Sequence, residues 1–90
     1  MEKIIITVVG KDTVGIIAKV STYLADIGVN ILDISQTIVS GFFNMIMIAD
    51  RAESSVDFNT CQEALDKLGE EIGVQIKCQK EEIFDMMHRI

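Results

Sequence analysis

Ninety residues with a net charge of −6 and a pI near 4.5 make one small acidic domain, and with only eight scattered Lys and Arg its surface is expected to repel a phosphate backbone. Hydrophobic residues are 49% of the chain and mean hydropathy is +0.34, more apolar material than one core of this size covers, so self-association is expected. The apolar run Ile4 to Val9 is too short for a signal peptide or a membrane span, and Cys61 and Cys78, set in apolar patterns without metal-like spacing, read as buried reduced thiols of a cytoplasmic protein, with a disulfide as the minor reading.

Residues 3–9, KIIITVV, are rich in β-branched side chains and predict a strand ending at Gly10. It is apolar on both faces, which suits a central position. Residues 13–27 switch to helical period. Ile17, Val20, Leu24 and Ile27 form one stripe, Asp12 or Thr13 is placed to cap the start, and Gly28 sits at the end. Residues 30–39 read as a second strand with Leu32, Ile34, Gln36 and Ile38 on one face and Asp33, Ser35 and Thr37 on the other. Ser40-Gly41 makes a short turn into a third strand over 42–49, so 30–49 is a hairpin.

Arg51 to Ser55 reads as a polar loop. Asp57 is placed to cap a second helix whose stripe is Phe58, Cys61, Leu65, Leu68 and Ile72, and Gly73 stops it. In 74–79, Val74, Ile76 and Cys78 alternate with Gln75, Lys77 and Gln79, a half-buried fourth strand. Residues 81–89, with Ile83, Phe84, Met86 and Met87, predict a short terminal helix.

The order strand–helix–strand–strand–helix–strand predicts a ferredoxin-like α+β sandwich: a four-stranded antiparallel sheet with two helices on one face. Ile5, Val9 and one apolar set of the third strand are expected on the other face. The predicted organisation is a domain over 1–80 and a helical extension over 81–90.

Two segments could carry chemistry. Gly10-Lys11-Asp12-Thr13-Val14-Gly15-Ile16 links the first strand to the first helix. Gly10 would let the chain turn, and Gly15, without a Cβ, would let a ligand approach helix N–H groups that lack internal partners and favour a carboxylate. The same glycines also suit a tight loop with no ligand. In the second segment, Asn30 to Gln36, alternate polar groups aim at one surface, although Asn30 equally suits a turn and Asp33 and Ser35 equally suit solvent.

Together these segments, ITVVGKDTVGIIAKVSTYLADIGVNILDISQT, resemble the opening half of the ACT domain. The likeness is to small stand-alone ACT proteins and to the ACT units of glycine-cleavage regulators and formyltetrahydrofolate deformylase. The fold order matches over about residues 3–80; the specific motif lies in 5–37. Many relatives have Pro directly before the loop glycine, where this chain has Val14. The resemblance implies a regulatory domain that binds an amino acid or similar small molecule where two domains pair. It implicates Lys11, Asp12, Gly15 and Ile16, with Asn30 and Ile31 from the facing strand.

Other classes fit less well. No Ser or Cys has a base at recognisable spacing, the single His88 lies near the C-terminus, and an acylphosphatase would want an Arg where this loop has Lys11, so no enzyme and no catalytic residue is expected. No cofactor or metal is expected either; Asp85 and His88 at i, i+3 suit a solvated helix face. Phe42 and Phe43 are adjacent and face opposite sides, unlike the stacked bases' platform of an RNA-recognition sheet. The expected partners are a second copy, an amino acid and an unidentified protein, with neither nucleic acid nor membrane. The dimer is expected through sheet edges or the open face, with Phe84, Met86, Met87 and Ile90 taking part. The rival reading is a ligand-free assembly module.

Overall fold

The computed structural model describes residues 1–82, and the expected terminal helix with Phe84, Met86, Met87 and Ile90, like Asp85 and His88, lies outside them. The elements are β1 (Lys3–Lys11), α1 (Ile16–Asp26), β2 (Asn30–Val39), β3 (Phe42–Asp50), α2 (Phe58–Ile72) and β4 (Val74–Lys80). The sheet runs β2-β3-β1-β4 with every pairing antiparallel. This is the βαββαβ sandwich that the order of elements predicted.

Alternation along the central strands decides the two faces. Ile4, Ile6 and Val8 of β1, Phe43, Met45, Met47 and Ala49 of β3, and Val74, Ile76 and Cys78 of β4 are buried in one cluster with Ile16, Val20 and Leu24 of α1 and Cys61 and Leu65 of α2. Both helices therefore cover the same face. Truncating a fully buried member such as Leu24 or Leu65 to Ala would cost about 2–5 kcal/mol. The opposite face carries Ile5, Val9, Phe42 and Ile46, as expected. Ile5 is only 5% exposed between its row neighbours Ile48 and Gln79, whereas Val9, Phe42 and Ile46 are 44%, 56% and 47% exposed.

Local chemistry explains most boundaries. Asp57 caps α2 by accepting from the Thr60 N–H at 2.7 Å, and Gly73 closes it in the left-handed conformation at φ 79°. Ser40 and Gly41 both have positive φ, the primed turn that a tight hairpin needs.

Three expectations need correction. β1 does not end at Gly10 but continues to Lys11, because Gly10 pairs with Phe43 on one side and Val74 on the other. Its role is close approach rather than turning: a Cβ there would lie 2.8 Å from Val74 Cγ1. α1 starts at Ile16, not residue 13, and its buried stripe begins with Ile16 rather than Ile17. In β2 a bulge between Ile31 and Asp33 takes Leu32 out of its row, so the predicted alternation runs from Asp33 onward.

Candidate ligand site

The chain leaves β1 at Lys11, and the Asp12 N–H donates to the Gly41 carbonyl at 2.8 Å, which ties the loop to the hairpin turn. Val14 stands at the tip, 98% exposed. Gly15 then adopts φ 90°, ψ 5° as the N-cap of α1. Neither Asp12 nor Thr13 occupies the cap position expected of it. A left-handed residue is needed to swing the chain from the strand onto the helix, and only glycine adopts it without strain. Gly15 brings no side chain to the first turn, so the leading N–H groups of α1 face outward with the positive end of the helix dipole. Among the described residues the space above Gly15 is open: a Cβ would meet only Lys19 Cε, at 3.9 Å.

This loop forms one wall of a cavity of about 540 Å³. Asp12, Gly15, Ile17 and Ser21 line it from the loop and α1, and Gln36 and Ile38 line it from β2. That volume lies within the ordinary range of small-molecule sites, as does its composition, mostly apolar with a few polar groups. Ile17 is available here because Ile16 takes the core position one residue earlier.

Of the six residues the resemblance implicated, the cavity lining includes Asp12, Gly15 and Ile16. Lys11 is the adjoining end of β1. Asn30 and Ile31 lie elsewhere. Asn30 pairs with Asp50, which pairs with Lys3, at one end of the sheet; Ile38 pairs with Phe43, which pairs with Gly10, at the other. Eight residues of strand separate Asn30 from Ile38, roughly 25 Å. A single chain thus divides the set between the two ends of its edge strand. Sequence reasoning missed Ile17, Ser21, Gln36 and Ile38 as lining residues. Their signal was present: Gln36 and Ile38 share the strand face that turns toward the helices, and Ile17 and Ser21 are one helical turn apart.

Arg51, read as part of a polar loop, is instead buried. Its Nη1 pairs with Glu2 Oε1 and its Nη2 donates to the Val56 carbonyl at 2.6 Å. Among the described residues no group of three or more His, Cys, Asp or Glu could hold a metal ion, and no helix is long and apolar enough to cross a membrane.

The sequence model of the ACT domain matches residues 2–79. A UPF0237 protein of Bifidobacterium longum is 61% identical over 90 residues, the full length of both chains. The structure of an ACT domain protein from Streptococcus pneumoniae superposes with a TM-score of 0.81 at 39% identity, covering 93% of this chain and 94% of that one. A formyltetrahydrofolate deformylase from Pseudomonas syringae gives a TM-score of 0.80 at 27% identity; the likeness covers 88% of this chain but 27% of that larger one.

Proposed function

This chain belongs to the ACT domain family, and on that footing we propose that it is a regulatory sensor of a free amino acid, working as a homodimer and passing its state to a protein partner in the cytoplasm. It binds and signals rather than catalyses, and it engages neither nucleic acid nor membrane. Residues 1–80 form the sensing unit and 81–90 an extension from it.

The observation that carries this reading is the cavity between the β1–α1 loop and β2. The outward N–H groups of α1 suit a carboxylate, Asp12 suits an ammonium group, and Ile17 and Ile38 offer an apolar wall to a side chain. The split residue set supports the dimer. Among the described residues β2 is an edge strand, with one side unpaired. If two copies pair antiparallel along β2 about a two-fold axis at Ile34, with Leu32 left out of the count as the bulge residue, Ile31 of the second copy falls opposite Gln36 on the helix face and its Asn30 opposite Thr37 on the other face. Each cavity then gains Ile31 of the second copy beside Gln36, with Asn30 at the neighbouring position.

A thermal-shift screen of the free amino acids tests this. A ligand at a hundredfold over Kd adds about 2.7 kcal/mol, worth roughly 10 °C or more in a domain of this size. Asp12→Ala should abolish the shift while leaving the unliganded Tm in place. If no amino acid at millimolar concentration moves Tm, the chain is the ligand-free assembly module that the exposed Val9, Phe42 and Ile46 would also serve.

A further inference from the structure

Helix α2 is drawn down onto β4 at two points. Gly69 lies so close that a Cβ on it would sit 2.7 Å from the Val74 carbonyl and 3.1 Å from Ile76 Cγ1. Two turns earlier, the Gln62 side chain donates through Nε2 to the Cys78 carbonyl at 2.8 Å. Between these fixings the buried stripe of α2 faces the buried row of β4, and Cys61 meets Cys78. Both thiols are buried and free in the same cluster, and each shifts the other's ionisation. Cys78 also borders a surface groove of about 460 Å³ with Gln62, Glu63 and Asp66, and Cys61 lies fully buried behind it, so peroxide reaches Cys61 when α2 opens locally at this groove.

We propose that Cys61 and Cys78 are a modification site, a dithiol that peroxide oxidises to an intramolecular disulfide fastening α2 to β4. The order of attack follows from the environment. Interaction with Cys78, with the Arg51 charge assisting, outweighs burial and draws the Cys61 thiol below its ordinary value; the same interaction and burial push Cys78 up. Cys61 gives up its proton and attacks one peroxide oxygen. The O–O bond breaks, the departing hydroxide takes a proton to become water, and Cys61 becomes a sulfenic acid. The Cys78 sulfur then attacks the Cys61 sulfur. The S–O bond breaks and the hydroxyl leaves with the Cys78 proton as a second water. Two thiols lose two electrons and peroxide becomes two waters.

The test uses the native wild-type chain, treated with hydrogen peroxide, quenched, and alkylated in denaturant without reductant. Both thiols should be lost to alkylation, a peptide joining 61 to 78 should appear, and Tm should rise by about 10 °C, since the bridge closes a loop of about 17 residues, returning with dithiothreitol. Cys78→Ser should accumulate a dimedone-reactive sulfenic acid at Cys61; should that variant fail to fold, the wild-type measurements decide alone. The proposal is overturned if both thiols stay alkylatable, if the bridge forms only in urea, if it joins two chains, or if Cys61 proceeds to sulfinic acid with no bridge.

Discussion

Arg51 and Glu2, at opposite ends of the paired strands β3 and β1 in sequence, are joined twice: the Arg51 backbone N–H donates to the Glu2 carbonyl at 2.9 Å, and the two side chains form an ion pair. With Nη2 bonded to the Val56 carbonyl, one buried guanidinium holds the N-terminus, the end of β3 and the approach to α2. Arg51→Ala should therefore cost about 2–3 kcal/mol in urea denaturation, the scale of a lost buried hydrogen-bonded group. Arg51→Lys should recover only part, because an ammonium lacks the fork that serves both acceptors. A loss below about 0.5 kcal/mol for Arg51→Ala would place this contact among ordinary surface pairs.

Gly69→Ala should reverse the usual sign. In an exposed helix interior the change stabilises by about 1 kcal/mol. Here the new Cβ meets the Val74 backbone, which cannot move without disturbing the sheet, so a loss of about 1–3 kcal/mol is expected. A rise in Tm would show that α2 can lift from β4 without penalty.

Acid stability should depend on two caps. Asp50 accepts the N–H of Glu2 and then that of Ala52, and Asp57 accepts that of Thr60; both carboxyls are held below their ordinary value of 3.8. A carboxyl lowered in the folded state contributes stability that is complete above its unfolded value and is lost as pH falls through the folded one. The double change Asp50→Asn with Asp57→Asn should thus flatten the fall in Tm below about pH 4 and leave a smaller difference between the variant's Tm at neutral and acid pH. Superimposable acid limbs would exclude these two groups as its source.

Ser40 holds φ 51° without being glycine. Ser40→Asn should stabilise by roughly 0.5 kcal/mol, because Asn tolerates the left-handed region and Asn-Gly is the preferred pair of this turn. Measured in chemical denaturation, an unchanged midpoint would mean that the strain is already relieved by the Asp12–Gly41 bond beside it.

Edge pairing gives a prediction in hydrodynamics. Ile34 is 40% exposed on β2, where the proposed two-fold axis passes. Ile34→Lys would set two ammonium groups side by side there. Sedimentation at tens of micromolar should show a wild-type dimer and a monomeric variant. A variant that dimerises as well as wild type would move the interface away from β2.

Periodicity made much of this molecule legible. Alternation in 74–79 and the stripe Cys61, Leu65, Leu68 identified which side chains meet the core, because burial selects apolar groups at the repeat of each element. Asp57 and Gly73 marked the ends of α2 for equally local reasons. What escaped was set by distance in sequence. Helical period alone did not choose between Ile16 and Ile17; the four residues spent on the loop, Asp12 to Gly15, did. Nothing near Arg51 revealed that its charge would be met by Glu2. The same holds for the candidate site: Asp12 and Gly15 were legible as a loop before a helix, but Gln36 and Ile38 join them only because β2 folds back beside β3, and that folding carries Asn30 and Ile31 away.

The position of β1 has a consequence for synthesis. It is made before the other three strands of its sheet, yet both of its hydrogen-bonding edges are filled by later ones, β3 and finally β4. At ribosomal speeds the interval before β4 emerges is on the order of seconds. Throughout it, the β-branched run Ile4 to Val9 stands as an apolar ribbon with at least one open edge, the composition and form that pair readily with the same ribbon on a neighbouring nascent chain. The growing polypeptide is therefore most vulnerable to aggregation until β4 is made, and a holding chaperone that grips β1 until β4 closes the sheet is the protection this topology calls for.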